Sequence, residues 1–246
     1  MQAVILAAGQ GQRIREHHTL PKGFIEINHK PLIRHSLDIL KEYGFDDILV
    51  VTGYASAYYE DLKSETDAFE TIYNPYYATY GNLYSLYLSH NWVSDDVLIL
   101  ESDIIYEPRA ISILMAQAAK DTILVSGPTG SNDEVYVEVD AKQNLTQMRK
   151  ILSELDKPYV LGEFVGLSRL ELATFKQYMN YLENNQALLQ QGNYDEDGFG
   201  ALAKQCSLHC ELVSDLLWSE IDNVDQYDFA KKLYPKMNQE IEMQHV

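Results

Sequence analysis

Short apolar runs alternate with amphipathic stretches through the first half of the chain. Ala3–Ala7 is an apolar run that ends at Gly9 and Gly11, which reads as a buried strand entering a loop. Pro31–Tyr43 places Leu32, Ile33, Leu37 and Leu40 at helical spacing. Asp47–Thr52 and Glu70–Tyr73 read as strands, Asn82–His90 as a helix, and Val97–Glu101 as a strand that stops at acidic residues. Pro108–Ala119 opens on the proline expected at a helix start, and Asp121–Ser126 is again a strand. Strands separated by helices pair in parallel, so this half predicts a layered, Rossmann-like α/β core.

The pattern then changes. Glu134–Val139 alternates strictly, as a half-exposed antiparallel strand does. Leu170–Leu189 has helical spacing, His209–Val213 and Leu217–Ile221 read as strands, and Val224–Leu233 as a closing helix. The expectation is one α/β domain over 1–246 with a mixed, mainly parallel sheet. A small antiparallel insert, roughly 127–200, would form a lid.

Charge narrows the partners. Acidic side chains number 37 and basic ones 19, a net charge of −18. Such a chain is a poor binder of nucleic acid or of anionic lipid. If it handles phosphates, a few local cations and a divalent metal must supply the positive charge. No apolar span is long enough for a membrane helix. Met1–Gly9 is short, with no basic residue ahead of it, and reads as a strand and not a signal peptide. Cys206 and Cys210 lack partners at ligand spacing and read as plain buried thiols, which makes the cytoplasm the expected location.

Four stretches carry candidate chemistry. Leu6-Ala-Ala-Gly-Gln-Gly-Gln-Arg13 feeds a strand into a loop whose small residues let main-chain N–H groups approach a polyphosphate, with Arg13 adding a cation. It lacks the third glycine of the dinucleotide fingerprint, and alone it is equally a tight turn. Pro21-Lys22-Gly23 holds a lysine on stiffened backbone. In Leu100-Glu-Ser-Asp103 an aspartate lies just past a core strand, where α/β folds place ligand groups, with Glu101 as second choice. In Trp218-Ser-Glu-Ile-Asp-Asn223, Glu220 and Asp222 share one face of an extended segment. Two carboxylates on one face repel unless a cation such as Mg2+ joins them.

Together these motifs resemble the sugar-nucleotide and cytidylyltransferase superfamily, which opens with L-A-A-G-x-G-x-R followed by P-K. The resemblance implies a nucleotide-diphospho-sugar transferase type of fold and transfer of a nucleotidyl group with loss of pyrophosphate. Leu6, Ala7, Ala8, Gly9, Gly11, Arg13 and Lys22 would then hold the NTP, and Asp103, Glu220 and Asp222 the magnesium. Asn74–Leu86 is similar to a segment of the phosphocholine and phosphonate cytidylyltransferases, so Asn82 and Ser85 would bond base or ribose of CTP. Tyr84 and Tyr87 read as core.

The acceptor side is read from Ser126–Val137, Gly162–Gly166 and Tyr194–Gly198. These tracts offer Asp133, Glu134, Glu163, Tyr194 and Asp197, and carboxylates with an aromatic ring recognise ammonium groups. Lys150 would meet the acceptor's anionic head. The layout is similar to the branch that activates phosphocholine or 2-aminoethylphosphonate, and looks closer to the phosphonate enzymes. The expected acceptor is therefore a small zwitterionic phosphonate or phosphate. Phosphocholine and sugar-1-phosphate transfer remain alternatives, as does a non-catalytic nucleotide-binding regulator. A homodimer is compatible with the sequence.

Overall fold

The computed structural model describes residues 1–15, 18–66 and 68–244. In chain order come β1 (Gln2–Ala7), the short hairpin β2 (Glu26–Ile27) and β3 (Lys30–Pro31), α1 (Leu32–Glu42), β4 (Ile48–Thr52), α2 (Ala57–Thr66) and β5 (Glu70–Tyr73). Then follow α3 (Leu83–Leu88), β6 (Val97–Glu101), β7 (Ile104–Tyr106), α4 (Arg109–Ala116), β8 (Thr122–Ser126), β9 (Tyr136–Val139), β10 (Leu145–Arg149) and β11 (Val160–Leu170). The chain ends with α5 (Leu172–Glu183), α6 (Gln186–Gln191), a π-turn at Tyr194–Phe199, α7 (Gly200–Leu202), β12 (His209–Val213), β13 (Trp218–Glu220) and α8 (Val224–Gln244).

β6, β1, β4 and β5 lie side by side in parallel. β11 closes this parallel half by pairing antiparallel to β6 through Leu167–Leu170; it also pairs antiparallel with β8 between Glu163 and Arg169, and with β9 between Val160 and Glu163. β10 extends β9, and β12 runs parallel to β8. The mixed, mainly parallel sheet with an antiparallel part thus matches the expectation from the sequence.

Both faces of the parallel half are covered. Val4 and Leu6 of β1, with Leu49 and Val51 of β4, enter one core with α3, α5 and the π-turn. Ala3, Ile5 and Ala7, with Ile48 and Val50, enter a second core with α1, α2 and α4. Alternate residues feed opposite layers, which is why these strands read as continuous apolar runs. A third cluster, including Ile14, Ile25, Ile27, Ile105, Ile221 and Leu233, clamps the loop after β1 and α8 together.

The expected single helix over Leu170–Leu189 is two helices. Leu170 still belongs to β11, and the chain breaks at Asn184 and Asn185, whose side-chain amides donate back to the carbonyls of Asn180 and Tyr181. α8 runs on past Leu233 to Gln244, carrying Pro235 inside it. α2 escaped the sequence pattern because only Tyr59 and Leu62 of its residues are buried. Cys210 is buried on β12 and Cys206 is half-buried, both as free thiols; burial pushes them up to about 12 and about 11. Among the described residues no helix is long and apolar enough to cross a membrane.

Candidate active site

The carboxyl ends of β1 and β6 meet where the Ser102 N–H donates to the Leu6 carbonyl. The loop leaving β1 turns at Gly11, whose φ is +58°, and a Cβ there would lie 2.8 Å from Cγ of Lys22. Glycine is therefore required twice over, by the backbone and by the lysine stem passing across it. Lys22 opens the short turn Lys22–Phe24. Tyr59 of α2 is buried beside that turn, bonded to Gly23 and Ser102, and so ties the lysine turn to the exit of β6.

β7 and β13 explain how distant carboxylates meet. They pair antiparallel with Glu220 opposite Ile104, and the Ile221 N–H donates to the Asp103 carbonyl at 2.8 Å. That ladder sets Asp103 against Glu220 and Asp222, and one carboxylate oxygen from each lies within 4.8 Å of the others. Lys22 Nζ bridges Asp103, at 2.6 Å, and Asp222. Arg13 pairs with Asp222 and, at 2.5 Å, with Asp133, which also takes Lys150 Nζ at 3.0 Å.

The charges respond to this crowding. Burial, with the Asp103 charge beside it, pushes Glu220 up to about 7. Burial, with Asp103, Glu220 and Asp195 nearby, holds Glu101 well above the usual carboxylate range. Burial would raise Asp133 as well, but the bonds from Arg13 and Lys150 overcome it and hold that group below its ordinary value.

These groups surround a cleft of about 260 Å³. Leu6, Ala7, Ala8, Gly9, Arg13 and Lys22 line it, with Asn82 and Ser85 of the α3 segment. Asp103, Glu220, Asp222, Lys150 and Glu163 line it as well. The side-chain Oδ1 of Asn82 accepts the Tyr194 N–H at 2.6 Å, and Ser85 Oγ accepts from the Asn74 side-chain amide, so both side chains are held in place.

Four of the anticipated residues do not line the cleft itself. Gly11 sits behind Lys22, and Asp133 is taken up by its two cations. Tyr194 is fully buried in the core, its hydroxyl 3.4 Å from Ser168 Oγ, and does not face the cleft. Asp197 is exposed and accepts the Asn193 N–H at 2.9 Å, which makes it a turn-holding group. In their place Asn193 and Asp195 line the cleft, along with Glu101, Phe164 and Trp218. The π-turn decides which acid of the Asp195-Glu-Asp run points inward, and no spacing rule in the sequence predicts a π-turn.

Glu163 is 4 % exposed and takes both the N–H, at 2.6 Å, and the hydroxyl of Thr129. Burial outweighs these bonds and raises it to about 7. A raised acid binds more protons in the folded state than in the unfolded state. Its contribution to stability is therefore present below about 4.5 and is lost as pH rises through about 7. Glu163→Gln is expected to melt progressively higher than the parent across that window, by thermal unfolding at a series of pH values. A difference independent of pH would remove Glu163 as the cause.

A glycine loop, two cations and three convergent carboxylates thus meet at the strand ends of a parallel core, groups whose chemistry suits a polyphosphate and a divalent cation. The MobA-like NTP transferase domain matches residues 3–170, and the chain belongs to that family. It is 31% identical over 185 residues to the choline-phosphate cytidylyltransferase of Streptococcus pneumoniae, covering 68% of this chain and 80% of that protein. It is 28% identical over 235 residues to the CMP-5'-(3-aminopropyl)phosphonate synthase of Streptomyces rubellomurinus; the match covers 91% of this chain and 37% of that longer protein. The solved CTP:phosphocholine cytidylyltransferase of Streptococcus pneumoniae superposes with a TM-score of 0.72 at 21% identity, over 95% of this chain and 98% of that one, which shows the same fold. The chain is an enzyme of the nucleotidyltransferase family, with cytidylyltransferases among its homologues, as the opening motifs imply.

Proposed function

We propose that the protein transfers CMP from CTP to 2-aminoethylphosphonate, or a close phosphonate relative, with magnesium, releasing pyrophosphate. The observation that carries the transfer step is the convergence of Asp103, Glu220 and Asp222 within 4.8 Å, beside Arg13 and Lys22. Three oxygen donors of this kind fit a hard divalent cation. When bound, the metal supplies charge neutralisation at the α-phosphate. Lys22 and Arg13, released from the carboxylates, draw charge from the polyphosphate, while the loop from Leu6 to Gly9 approaches it with main-chain N–H groups. An acceptor oxygen forms the new bond to the α-phosphorus, and the bond to the β-phosphate oxygen breaks. The acceptor is already an oxyanion, so no strong general base is needed and catalysis is positioning with electrostatics.

The acceptor reading rests on the cleft's remaining acids. Glu163, Glu101 and Asp195 all line the cleft and offer it oxygen acceptors. A primary ammonium satisfies such acceptors with three N–H donors, whereas a trimethylated head leaves them unpaired at a cost in free energy. The relative that makes a CMP-aminopropylphosphonate, matched along 91% of this chain, supports the same choice. Phosphocholine is the second reading, supported by the choline-phosphate enzyme that is 31% identical. Pyrophosphate release from CTP, measured with each acceptor, tests the assignment. The expected result is a preference for 2-aminoethylphosphonate of about tenfold or more in kcat/KM. Equal values, or a preference for phosphocholine, overturn the acceptor and leave nucleotidyl transfer standing.

A further inference from the structure

Asp222 is held differently from the two carboxylates it meets. Asp103 and Glu220 belong to the paired segments around β7 and β13. Asp222 lies beyond the last bond of that ladder, in the short link to α8. Its N–H donates to the side-chain Oε1 of Gln226 at 2.7 Å. Gln226 is the third residue of α8, and its own N–H donates to Oδ1 of Asn223 at 3.0 Å. This is a reciprocal arrangement of the capping-box kind, displaced by one residue. The usual partner of such a side chain is the N–H of the capping residue itself, here Asn223. The displaced bond instead fixes the peptide of Asp222.

Both residues are nearly sealed, with Asp222 2 % and Gln226 6 % exposed. The Gln226 side chain lines a second pocket of about 230 Å³, which shares Glu163 and Glu220 with the cleft. Glu163, Glu220 and Asp225 line that cavity too. An amide here supplies the oxygen Asp222 needs without adding a fourth carboxylate to those three. The cavity also gives substitutions at 226 room to fit.

We propose that Gln226 is a positioning residue of the reaction, holding the Asp222 main chain so that its carboxylate meets Asp103 and Glu220. The inference rests on the metal reading given under Proposed function. Gln226→Met keeps the side chain's length and removes the acceptor, and Gln226→Glu retains an acceptor oxygen. Three measurements are compared in both variants and the parent: amide hydrogen exchange at Asp222 in the metal-free protein, the Mn2+ dissociation constant by electron paramagnetic resonance titration, and kcat at saturating Mg2+. In Gln226→Met the Asp222 amide is expected to exchange at least about tenfold faster, and Mn2+ to bind about 10–100-fold more weakly, the usual effect of removing an outer-shell partner. Gln226→Glu keeps the acceptor oxygen, so it is expected to keep amide protection at Asp222, and its added acid to leave Mn2+ affinity at or above that of the parent.

Unchanged Mn2+ affinity in Gln226→Met overturns the proposal, and so does equal weakening in both variants, which marks plain packing. A parent protein that binds no Mn2+ overturns the metal reading and this inference with it. A parent that binds while Gln226→Met binds equally well overturns this inference alone.

Discussion

Asp103→Ala is expected to lower kcat by roughly 1000-fold or more, because on the proposed reading it removes one of three charges that hold the metal. The fold is expected to survive. The Asp103 side chain is 17% exposed, and its carboxylate adds charge to an already acidic cleft. Burial and then Asp103 hold Glu220 at about 7, so deleting Asp103 relieves Glu220. The strand pairing that places Asp103 uses its backbone carbonyl, which alanine retains. A nearly silent effect on the melting temperature should therefore accompany a large effect on turnover. Asp103→Asn, equal in shape and uncharged, is expected to behave like the alanine variant. Retention of more than a tenth of the parent kcat, or a melting point that collapses with activity, would show that Asp103 is structural.

The grouping of Gly9, Arg13 and Lys22 along one cleft was legible because the loop and turn that carry them are local. Gly11 was legible as a backbone requirement, which its φ of +58° bears out. Glu220 and Asp222 were legible as a pair because extended chain puts alternate residues on one face. Their meeting with Asp103 followed only from resemblance, since the β7–β13 ladder that causes it is two three-residue strands. The acceptor side was less legible for the same physical reason. Asp133 stands among attractive carboxylates until the structure shows it paired with Arg13, 120 residues away, and with Lys150. Tyr194 and Asp195 exchange roles because a π-turn rotates the run. β11 hides its nature because nine of its residues are buried from Gly162 on, and neither alternation nor helical period survives burial on both faces.

Lys22→Ala is expected to move catalysis and metal binding in opposite directions. On the proposed reading, the ammonium is one of two cations on the polyphosphate once substrate is bound. Its removal should cost roughly 2–4 kcal/mol of transition-state stabilisation, seen in kcat/KM for CTP. Arg13→Ala is expected to lose a similar amount. In the nucleotide-free protein the same ammonium sits between Asp103, at 2.6 Å, and Asp222, where it competes with a divalent cation for their oxygens. Removing it takes away the cation that Asp103 and Asp222 share, so Mn2+ should bind more tightly to Lys22→Ala than to the parent. Arg13 touches Asp222 but not Asp103, and its loss should tighten metal binding less. Titrating Mn2+ into nucleotide-free parent and variants, beside steady-state kinetics with CTP, separates the two roles. Parent-like kcat/KM in both variants would rule out the phosphate assignment. Weaker Mn2+ binding by Lys22→Ala would mean that the lysine supports the carboxylate cluster and does not compete for it.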